Sequence, residues 1–375
     1  MSPITPNIPA FKLEEFFAEH EFHAPYLLAQ SDAECLSMTG LLQLADEDSL
    51  NLWENLSLSY TQTQGHPLLL EEISKTFSSL APSNILTFTG AEEGIFCSMM
   101  TLLSPGDHAV VISPCYQSLA SLPPFFKAEA TQVPLDPELD WSLDMQKVKE
   151  AIRPETKVIN INFPHNPTGA IISEKQLQEL IRLARKQGAY IFSDEVYRLI
   201  EVNPEDRLPQ IADVYERGIS LGVLSKAYGL PGLRIGWVGC QDNRFMQELK
   251  KVKHYTTICN SAPSEILAII ALRAAGQILE RNRSIIRNNL QKLSSFFDRY
   301  SDLFHITYPK GGCIAFPRLL LSTPVEKFVK DLIKEKGVLL LPGSIYEMPG
   351  NFFRIGFGRK NFPQALEQLE NYISQ

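Results

Sequence analysis

The sequence contains no long apolar run and no leader-like start. Its longest apolar stretches, residues 266–272 and 338–341, fall far short of the roughly 20 residues that a bilayer span requires. The first residues contain neither the positively charged segment nor the long apolar segment of a secretory signal. We therefore expect a cytoplasmic protein that does not interact with a membrane.

An excess of positive charge is also missing. The 35 Lys and Arg residues are outnumbered by 43 Asp and Glu residues, which gives a formal net charge of −8, and no basic run or basic half is present. Because nucleic-acid backbones must be met by a basic face, we expect no nucleic-acid partner.

Motifs for metals, disulfides and dinucleotides are lacking. His20 and His23 do not have the spacing of a His-Glu-x-x-His zinc site, so we predict no metal. Neither a GxGxxG nor a Walker A pattern occurs. The cysteines form no CxxC pair, which fits a reducing compartment better than a disulfide framework. They are Cys35, Cys97, Cys115, Cys240, Cys259 and Cys313.

What the sequence does contain is an alternation of short β-rich runs and helical patterns between about residues 83 and 238. Apolar runs predict buried strands at 108–113, 156–162, 189–193 and 219–224. Apolar residues at helical spacing predict helices at 92–103, 144–152 and 173–187, the last with a capping box of Ser173 and Gln176. This pattern predicts an α/β fold, with a mostly parallel sheet covered by helices on both faces.

The predicted secondary structure changes after Gln241. Residues 242–300 are mainly helical, and mixed short strands and helices follow, including predicted helices at 324–336 and 362–373. We predict a large domain over residues 46–245 and a smaller α+β domain over residues 246–375. The Pro-containing arm, residues 1–45, has too little apolar periodicity to stand alone, so we expect it to pack on the small domain or on a partner subunit.

Polar side chains follow three of the predicted strands. Asn166 comes after the strand at 156–162, Asp194 and Tyr197 after the next, and Lys226 and Arg234 after the strand at 219–224. Each residue alone is most simply a turn residue, a helix cap or a surface charge. Because the carboxyl ends of parallel strands meet at one sheet edge, where ligands bind, we expect these side chains to converge on one site.

Together these residues resemble the fold type I pyridoxal-phosphate enzymes, and most closely the class I/II aminotransferases. The matching motifs occur in order along nearly the whole chain. They are Tyr60 to Gly65 with Pro67, Thr89-Gly90-Ala91-Glu92, Asn166-Pro167-Thr168-Gly169, Asp194 with Tyr197, Ser225-Lys226 with Arg234, and Phe353-Arg354-Ile355-Gly356.

The resemblance implies a large domain that binds pyridoxal phosphate and gives each residue a role. Lys226 would form the Schiff base with the cofactor and later move the Cα proton of the substrate. Asp194 would hold the ring nitrogen protonated. Asn166 and Tyr197 would bond the phenolic oxygen, with Asn166 also close to the substrate, and Tyr116 would stack on the ring.

The phosphate and the substrate carboxylate require positive potential. The resemblance implies that Arg234 and the backbone N–H groups of the Gly90-Ala91-Glu92 turn bind the phosphate, together with Tyr60 from a neighbouring subunit. It therefore implies a homodimer with shared active sites. Arg354 would bind the α-carboxylate of an amino acid in a bidentate pair.

Two departures from the family pattern bear on the reaction. The position three residues before the lysine, where many members have a hydroxyl group that helps bind phosphate, is Val223 here, and Ser225 could take over part of that task. The N-terminal segment that closes over substrate is Gly-rich in many members but reads Tyr26-Leu27-Leu28-Ala29-Gln30-Ser31-Asp32 here.

The expected activity is transfer of an amino group from an amino acid to a 2-oxo acid in a ping-pong cycle. The alternative within the same cofactor site is a lyase, racemase or cyclase reaction on an amino acid. His165 beside Asn166 could contact substrate or simply pack the loop, and Cys115 is expected to be an apolar filler. A non-enzymatic regulator is disfavoured because Lys226 and Asp194 are both present.

Overall fold

A computed structural model describes residues 8–374, so residues 1–7 of the predicted arm lie outside the described part of the chain. Its centre is a seven-stranded sheet. In chain order the strands are β1 (Ile85–Phe88), β2 (His108–Ser113), β3 (Glu129–Pro134), β4 (Thr156–Asn162), β5 (Tyr190–Asp194), β6 (Gly218–Val223) and β7 (Gly236–Cys240).

The strands lie in the order β1-β7-β6-β5-β4-β2-β3. Only β7 runs antiparallel to its two neighbours within this sheet, so the prediction of a mostly parallel sheet is confirmed. The four predicted strands lie within one residue of β2, β4, β5 and β6. The strand β3 was not predicted, because it lies at the sheet edge with only one buried residue and forms no apolar run, and the short strands β1 and β7 were not predicted either.

Helices cover the sheet, and several begin where the sequence predicts. The helix Glu174–Gln187 starts at the N-cap Ser173, whose hydroxyl accepts from the N–H of Gln176 in the predicted capping box. The described helices are Lys12–His20, Met38–Leu42, Glu47–Glu54, Pro67–Ser74, Ala91–Leu102, Gln117–Phe125, Met145–Ala151, Glu174–Gln187, Ile211–Val214, Asn243–Lys253, Ala262–Arg273, Ala275–Arg299, Val325–Lys336 and Phe362–Ile373, with 3₁₀ turns at Pro82–Asn84, Pro137–Leu139, Pro204–Asp206, Pro231–Leu233 and Gly343–Tyr346.

Beyond β7 the chain forms long helices and three small sheets. Phe353–Gly356 pairs with Ile314–Ala315 and Leu341–Pro342, and Phe304–His305 pairs with Arg318–Leu319. The third sheet joins Tyr26–Leu27 to Val338–Leu339 in parallel, which fastens the N-terminal arm to the C-terminal part of the chain.

The two consecutive helices Ala262–Arg273 and Ala275–Arg299 meet at an angle of 76°. Among residues 8–374 no single helix is long and apolar enough to cross a membrane, although this bent pair reaches the required length and composition together. Ile266 to Ala271 in the first helix are buried in the main hydrophobic core, which explains their continuous apolar character.

Candidate active site

A cavity of about 360 Å³ opens at the carboxyl ends of β4, β5 and β6. Most of the residues selected from the sequence line this cavity, although the first and last of them, Ala91 and Arg354, are 263 positions apart in the chain. The selected residues in its wall are Ala91, Glu92, Tyr116, Asn166, Asp194, Tyr197, Ser225, Lys226, Arg234 and Arg354.

Asp194 lies at the floor of the cavity, at the last residue of β5. In the sheet it is paired with Asn162 of β4, whose Nδ2 donates to the carbonyl oxygen of Asp194 at 2.7 Å. The Oδ1 of the same asparagine accepts from the N–H of Asn166 at 2.9 Å. Asn162 therefore positions two site residues at once. Sequence analysis missed it, although a polar residue ending an apolar strand was a usable signal.

Burial raises the pKa of the Asp194 carboxyl to about 7, although the hydrogen bond from the N–H of Val196 acts in the opposite direction. Asp194 is only 4% exposed, so water does little to stabilise its charge. A cation placed against this carboxylate in the cavity would restore its ordinary acidity. The floor of the cavity is therefore suited to a protonated ring nitrogen.

Lys226 enters the cavity from the loop after β6. Its Nζ donates to the hydroxyl of Ser31 at 2.9 Å, and burial lowers the pKa of the amine. A lowered pKa increases the fraction of neutral amine, the form that attacks a carbonyl carbon or accepts a proton. Ser31 was noted only as part of the unusual N-terminal segment, and its contact with Lys226 depends on tertiary packing that the sequence does not display.

Arg354 is 1% exposed and forms the upper wall of the cavity. Its Nη1 donates to Asn166 Oδ1 at 3.2 Å and to the Tyr346 hydroxyl, and its Nη2 donates to the carbonyl oxygen of Ala29. Its Nε has no hydrogen-bond partner among the described residues. An unpaired donor on a buried guanidinium is costly, which favours an anionic ligand at this wall.

Tyr197 brings a second unsatisfied group into the cavity. The side chain is 1% exposed, and its hydroxyl has no hydrogen-bond partner within residues 8–374. Asn166 uses its Oδ1 as an acceptor from Arg354 and Tyr346, so its Nδ2 is the group left to donate to a ligand. These two donors suit an oxygen such as the phenolic oxygen of pyridoxal phosphate.

The N-terminus of the helix Ala91–Leu102 forms the other end of the cavity. Gly90 precedes it with a φ of 82°, and a Cβ at this position would collide with the guanidinium of Arg234, so a glycine is needed. A helix N-terminus beside an arginine is a site for a phosphate group. Val223 and Ser225 both line the cavity. That the Ser225 hydroxyl takes over part of the task of the hydroxyl missing at position 223 stays a prediction.

Besides Gly90, three residues considered in the sequence do not line the cavity. Tyr60 is 89% exposed on the surface, where it can contact only another molecule. His165 is buried with its Nδ1 at 2.8 Å from the Thr168 hydroxyl, and burial lowers its pKa to about 3, which agrees with a loop-packing role. Cys115 is also buried, with its pKa raised to about 12, as expected for an apolar filler.

The residues present fit pyridoxal phosphate. The cavity offers a carboxylate for the ring nitrogen, an amine for the aldehyde, two donors for the phenolic oxygen, and a helix N-terminus with an arginine for the phosphate. The unsatisfied Tyr197 hydroxyl and the raised pKa of Asp194 are both explained by a group of this kind.

Comparison with known proteins agrees with this geometry. The family model for aminotransferase class I and II matches residues 51–369. Capreomycidine synthase from Streptomyces vinaceus is 29% identical over 353 residues, covering 93% of this chain and 90% of that protein. An aspartate aminotransferase from Thermotoga maritima is 25% identical over 342 residues, covering 88% and 87% of the two chains.

Solved structures show the same likeness. A pyridoxal-phosphate-dependent aminotransferase from Streptococcus suis superposes with a TM-score of 0.93 at 34% identity, covering 98% of both chains. The pyridoxal-phosphate-dependent cyclase OrfR superposes with a TM-score of 0.89 at 25% identity, covering 99% of both chains. The similar proteins therefore include aminotransferases, a synthase and a cyclase.

Proposed function

The chain belongs to the class I and II aminotransferase family, and from this premise we propose that it moves the amino group of an amino acid to a 2-oxo acid by a ping-pong mechanism. The observation that carries the proposal is the convergence of Lys226, Asp194 and Arg354 on one cavity, two of them deeply buried. Pyridoxal phosphate, when bound, supplies an electron sink for the charge that develops at the substrate Cα.

The strand-end residues hold and tune that cofactor. Asp194 keeps a proton on the ring nitrogen, because a buried carboxylate favours an adjacent cation. Tyr197 and Asn166 donate hydrogen bonds to the phenolic oxygen. Arg234 and the N–H groups of Ala91 and Glu92 would bind the phosphate, and Tyr116 would stack on the ring.

Lys226 has two tasks. Its amine would hold the cofactor through the aldehyde group, and with an amino-acid substrate bound its Nζ would move the proton of the substrate Cα. The lowered pKa of this amine favours both tasks at neutral pH. Arg354 orients the substrate through its α-carboxylate, so that the Cα–H bond faces Lys226.

We also propose that two copies of the chain form the active unit, with the N-terminal arm, a large domain to about residue 245 and a small domain beyond it. An apolar patch made of Leu58, Tyr60, Tyr255 and Ile258 supports this, because these side chains are between 51% and 92% exposed. The hydroxyl of Thr61 donates to the carbonyl oxygen of Asn260 at 2.9 Å, which holds the two patch segments side by side. A second copy would cover the patch and present Tyr60 to the phosphate of its neighbour.

A second candidate, cyclisation of an amino acid at the same cofactor site, is favoured by the likeness to the cyclase OrfR at 25% identity. The two candidates differ in their need for an acceptor. Transamination requires a 2-oxo acid to regenerate the enzyme, whereas cyclisation completes each turnover without one. Product analysis with and without an oxo acid separates them.

The proposal is tested by a half-reaction screen. The holoenzyme is mixed with single amino acids, and conversion of the cofactor to its aminated form is followed by absorption. Lys226→Ala should lose the absorption of the covalently held cofactor and lower turnover by at least about 10²- to 10⁴-fold. Lys251→Ala, which removes an exposed amine paired with Glu248, is the matched control and should behave like the wild type. A fully active Lys226→Ala would overturn the proposal.

A further inference from the structure

The N-terminal helix, Lys12–His20, forms part of the cavity wall. Leu13, Glu14 and Phe17 of this helix line the cavity. Phe17 lies beneath Arg354, with the guanidinium carbon 5.8 Å from the ring centroid. Glu14 is one helical turn earlier, so it faces the cavity about 4.5 Å further along the helix axis.

The charged groups in the cavity wall are three cations and three carboxylates. The proposed function assigns four of them to groups of the cofactor or substrate. Arg234 would bind the phosphate and Arg354 the α-carboxylate. Asp194 would bind the ring nitrogen and Lys226 the aldehyde. The carboxylates of Glu14 and Glu92 remain without a cationic partner among the described residues.

These two carboxylates lie at the same end of the cavity, on either side of Tyr116. The Tyr116 hydroxyl donates to Glu14 Oε1 at 3.4 Å, and the Ser118 hydroxyl donates to Glu92 Oε1 at 2.6 Å. Glu92 Oε2 is buried and has no hydrogen-bond partner within residues 8–374. The negative charge of Glu14 adds to burial in raising the pKa of Glu92. Two neighbouring carboxylates with one orphaned oxygen favour a positively charged ligand group.

The buried and unpaired Nε of Arg354 favours a ligand anion in the same cavity, which fixes one end of the substrate. An amino acid with its carboxylate at Arg354 would extend its side chain past the apolar surface of Leu13 and Phe17 towards Glu14 and Glu92. We propose, on the basis of the proposed function, that the amino-acid substrate has a positively charged side chain, ammonium or guanidinium, whose cationic end binds between Glu14 and Glu92.

The preference of the enzyme for a cationic over a neutral substrate should be large, because a neutral side chain of the same shape would leave the half-buried carboxylate of Glu92 unpaired and would forgo the charge of Glu14. Sites built to satisfy a polar group reject an analogue that lacks it far more strongly than apolar pockets reject a missing methylene. We therefore expect kcat/KM for cationic amino acids to exceed that for neutral isosteres by at least about 100-fold.

The experiment uses the holoenzyme and matched pairs of amino acids, arginine with citrulline and lysine with norleucine. Glu14→Gln and Glu92→Gln should each reduce the cationic preference by about tenfold, mainly through KM, because Gln keeps the shape but not the charge. Glu15→Gln changes an exposed carboxylate of the same helix that does not line the cavity, and it should leave the preference unchanged.

A binding measurement separates this inference from the reaction. The α-methyl forms of ornithine and norvaline lack the Cα proton, so calorimetry reports their recognition without turnover. Tighter binding of α-methylornithine, weakened in Glu14→Gln, supports the inference even if no amino group is transferred, an outcome that would overturn only the proposed function. Equal use of cationic and neutral partners by the wild type, or a preference that survives both substitutions, would overturn the inference.

Discussion

The two walls of the cavity are held in place by different means. Asn166, Asp194 and Lys226 stand at the ends of buried strands, and Asn162 fixes the first two through hydrogen bonds inside the sheet. The N-terminal helix buries Leu13 in the core, but its polar contacts are at the surface, through Lys12 with Glu347 at 2.7 Å and through Gln117. The rigid wall holds the groups that any pyridoxal-phosphate chemistry requires. The wall formed by the N-terminal helix contains Glu14, which we propose recognises the substrate side chain.

The difference is also electrostatic. Around the strand ends, burial dominates and moves the pKa values of Asp194 and Lys226 in the directions that the cofactor exploits. On the helix side, Glu14 is exposed and acts through charge on a ligand rather than through burial. We therefore expect substitutions at the strand ends to abolish chemistry and substitutions around the helix to change affinity. The predictions below test this contrast, from the largest effect to the smallest.

The largest effect is expected for Asp194→Asn, which removes the charge on the floor of the cavity. Turnover of the holoenzyme should fall by about 10²-fold or more, because the ring nitrogen loses the carboxylate that keeps it protonated. The cofactor-free protein should respond in the opposite sense. Because the folded pKa of Asp194, about 7, lies above its ordinary 3.8, the folded state binds more protons than the unfolded state between these values.

The contribution of Asp194 therefore lowers the stability of the cofactor-free protein as pH rises from about 4 to about 7. Asp194→Asn should raise its free energy of unfolding at about pH 8 by up to a few kcal/mol and leave it unchanged near pH 4. Glu195→Gln is the matched control, since burial raises its pKa to about 7 as well but it lies outside the cavity wall. It should stabilise the cofactor-free protein similarly and preserve turnover. Chemical denaturation at the two pH values measures this, and full activity of Asp194→Asn would refute the contrast.

The same contrast governs what could be predicted from the sequence. The strand-end wall was predictable because apolar runs locate β4, β5 and β6, and the polar residue after each run then falls at the ligand-binding edge. Asn162 ends an apolar strand and had a local signal that was overlooked, whereas the role of Tyr346 is a bond to another site residue, which no local pattern reports.

The helix-side wall was not predictable. Residues 12–20 have an ordinary amphipathic pattern, and nothing local indicates that the helix lines a cavity with residues as distant as Lys226 and Arg354. The contact between Lys226 and Ser31 spans 195 positions and depends on the pairing of Tyr26–Leu27 with Val338–Leu339. Long-range packing of this kind becomes visible only in the folded chain.

A smaller effect is expected for Tyr60→Phe, which tests whether a partner subunit completes the rigid wall. Loss of one charge-assisted hydrogen bond to phosphate should weaken cofactor binding by about tenfold, measured as the dissociation constant of the cofactor, with little change in stability. Tyr255→Phe alters an equally exposed tyrosine of the same apolar patch and should keep the wild-type affinity. Unchanged cofactor affinity in Tyr60→Phe, together with a monomer at working concentration, would contradict the shared site.

The smallest effect is expected where the N-terminal helix is fastened. Gln117 accepts from the N–H of Lys12 at 2.9 Å and donates to the carbonyl oxygen of Ala10 at 2.7 Å, so it holds the start of the helix against the rim of the cavity. Gln117→Ala should raise KM by about three- to tenfold, as expected for two exposed hydrogen bonds, and change kcat by less than about twofold. Gln187→Ala removes a comparable bond, to the carbonyl oxygen of Pro154, at a site remote from the cavity and should change neither constant. If Gln117→Ala instead lowered kcat and left KM unchanged, the helix would act on the chemistry itself, and the division between a rigid catalytic wall and a surface-held recognition wall would fail.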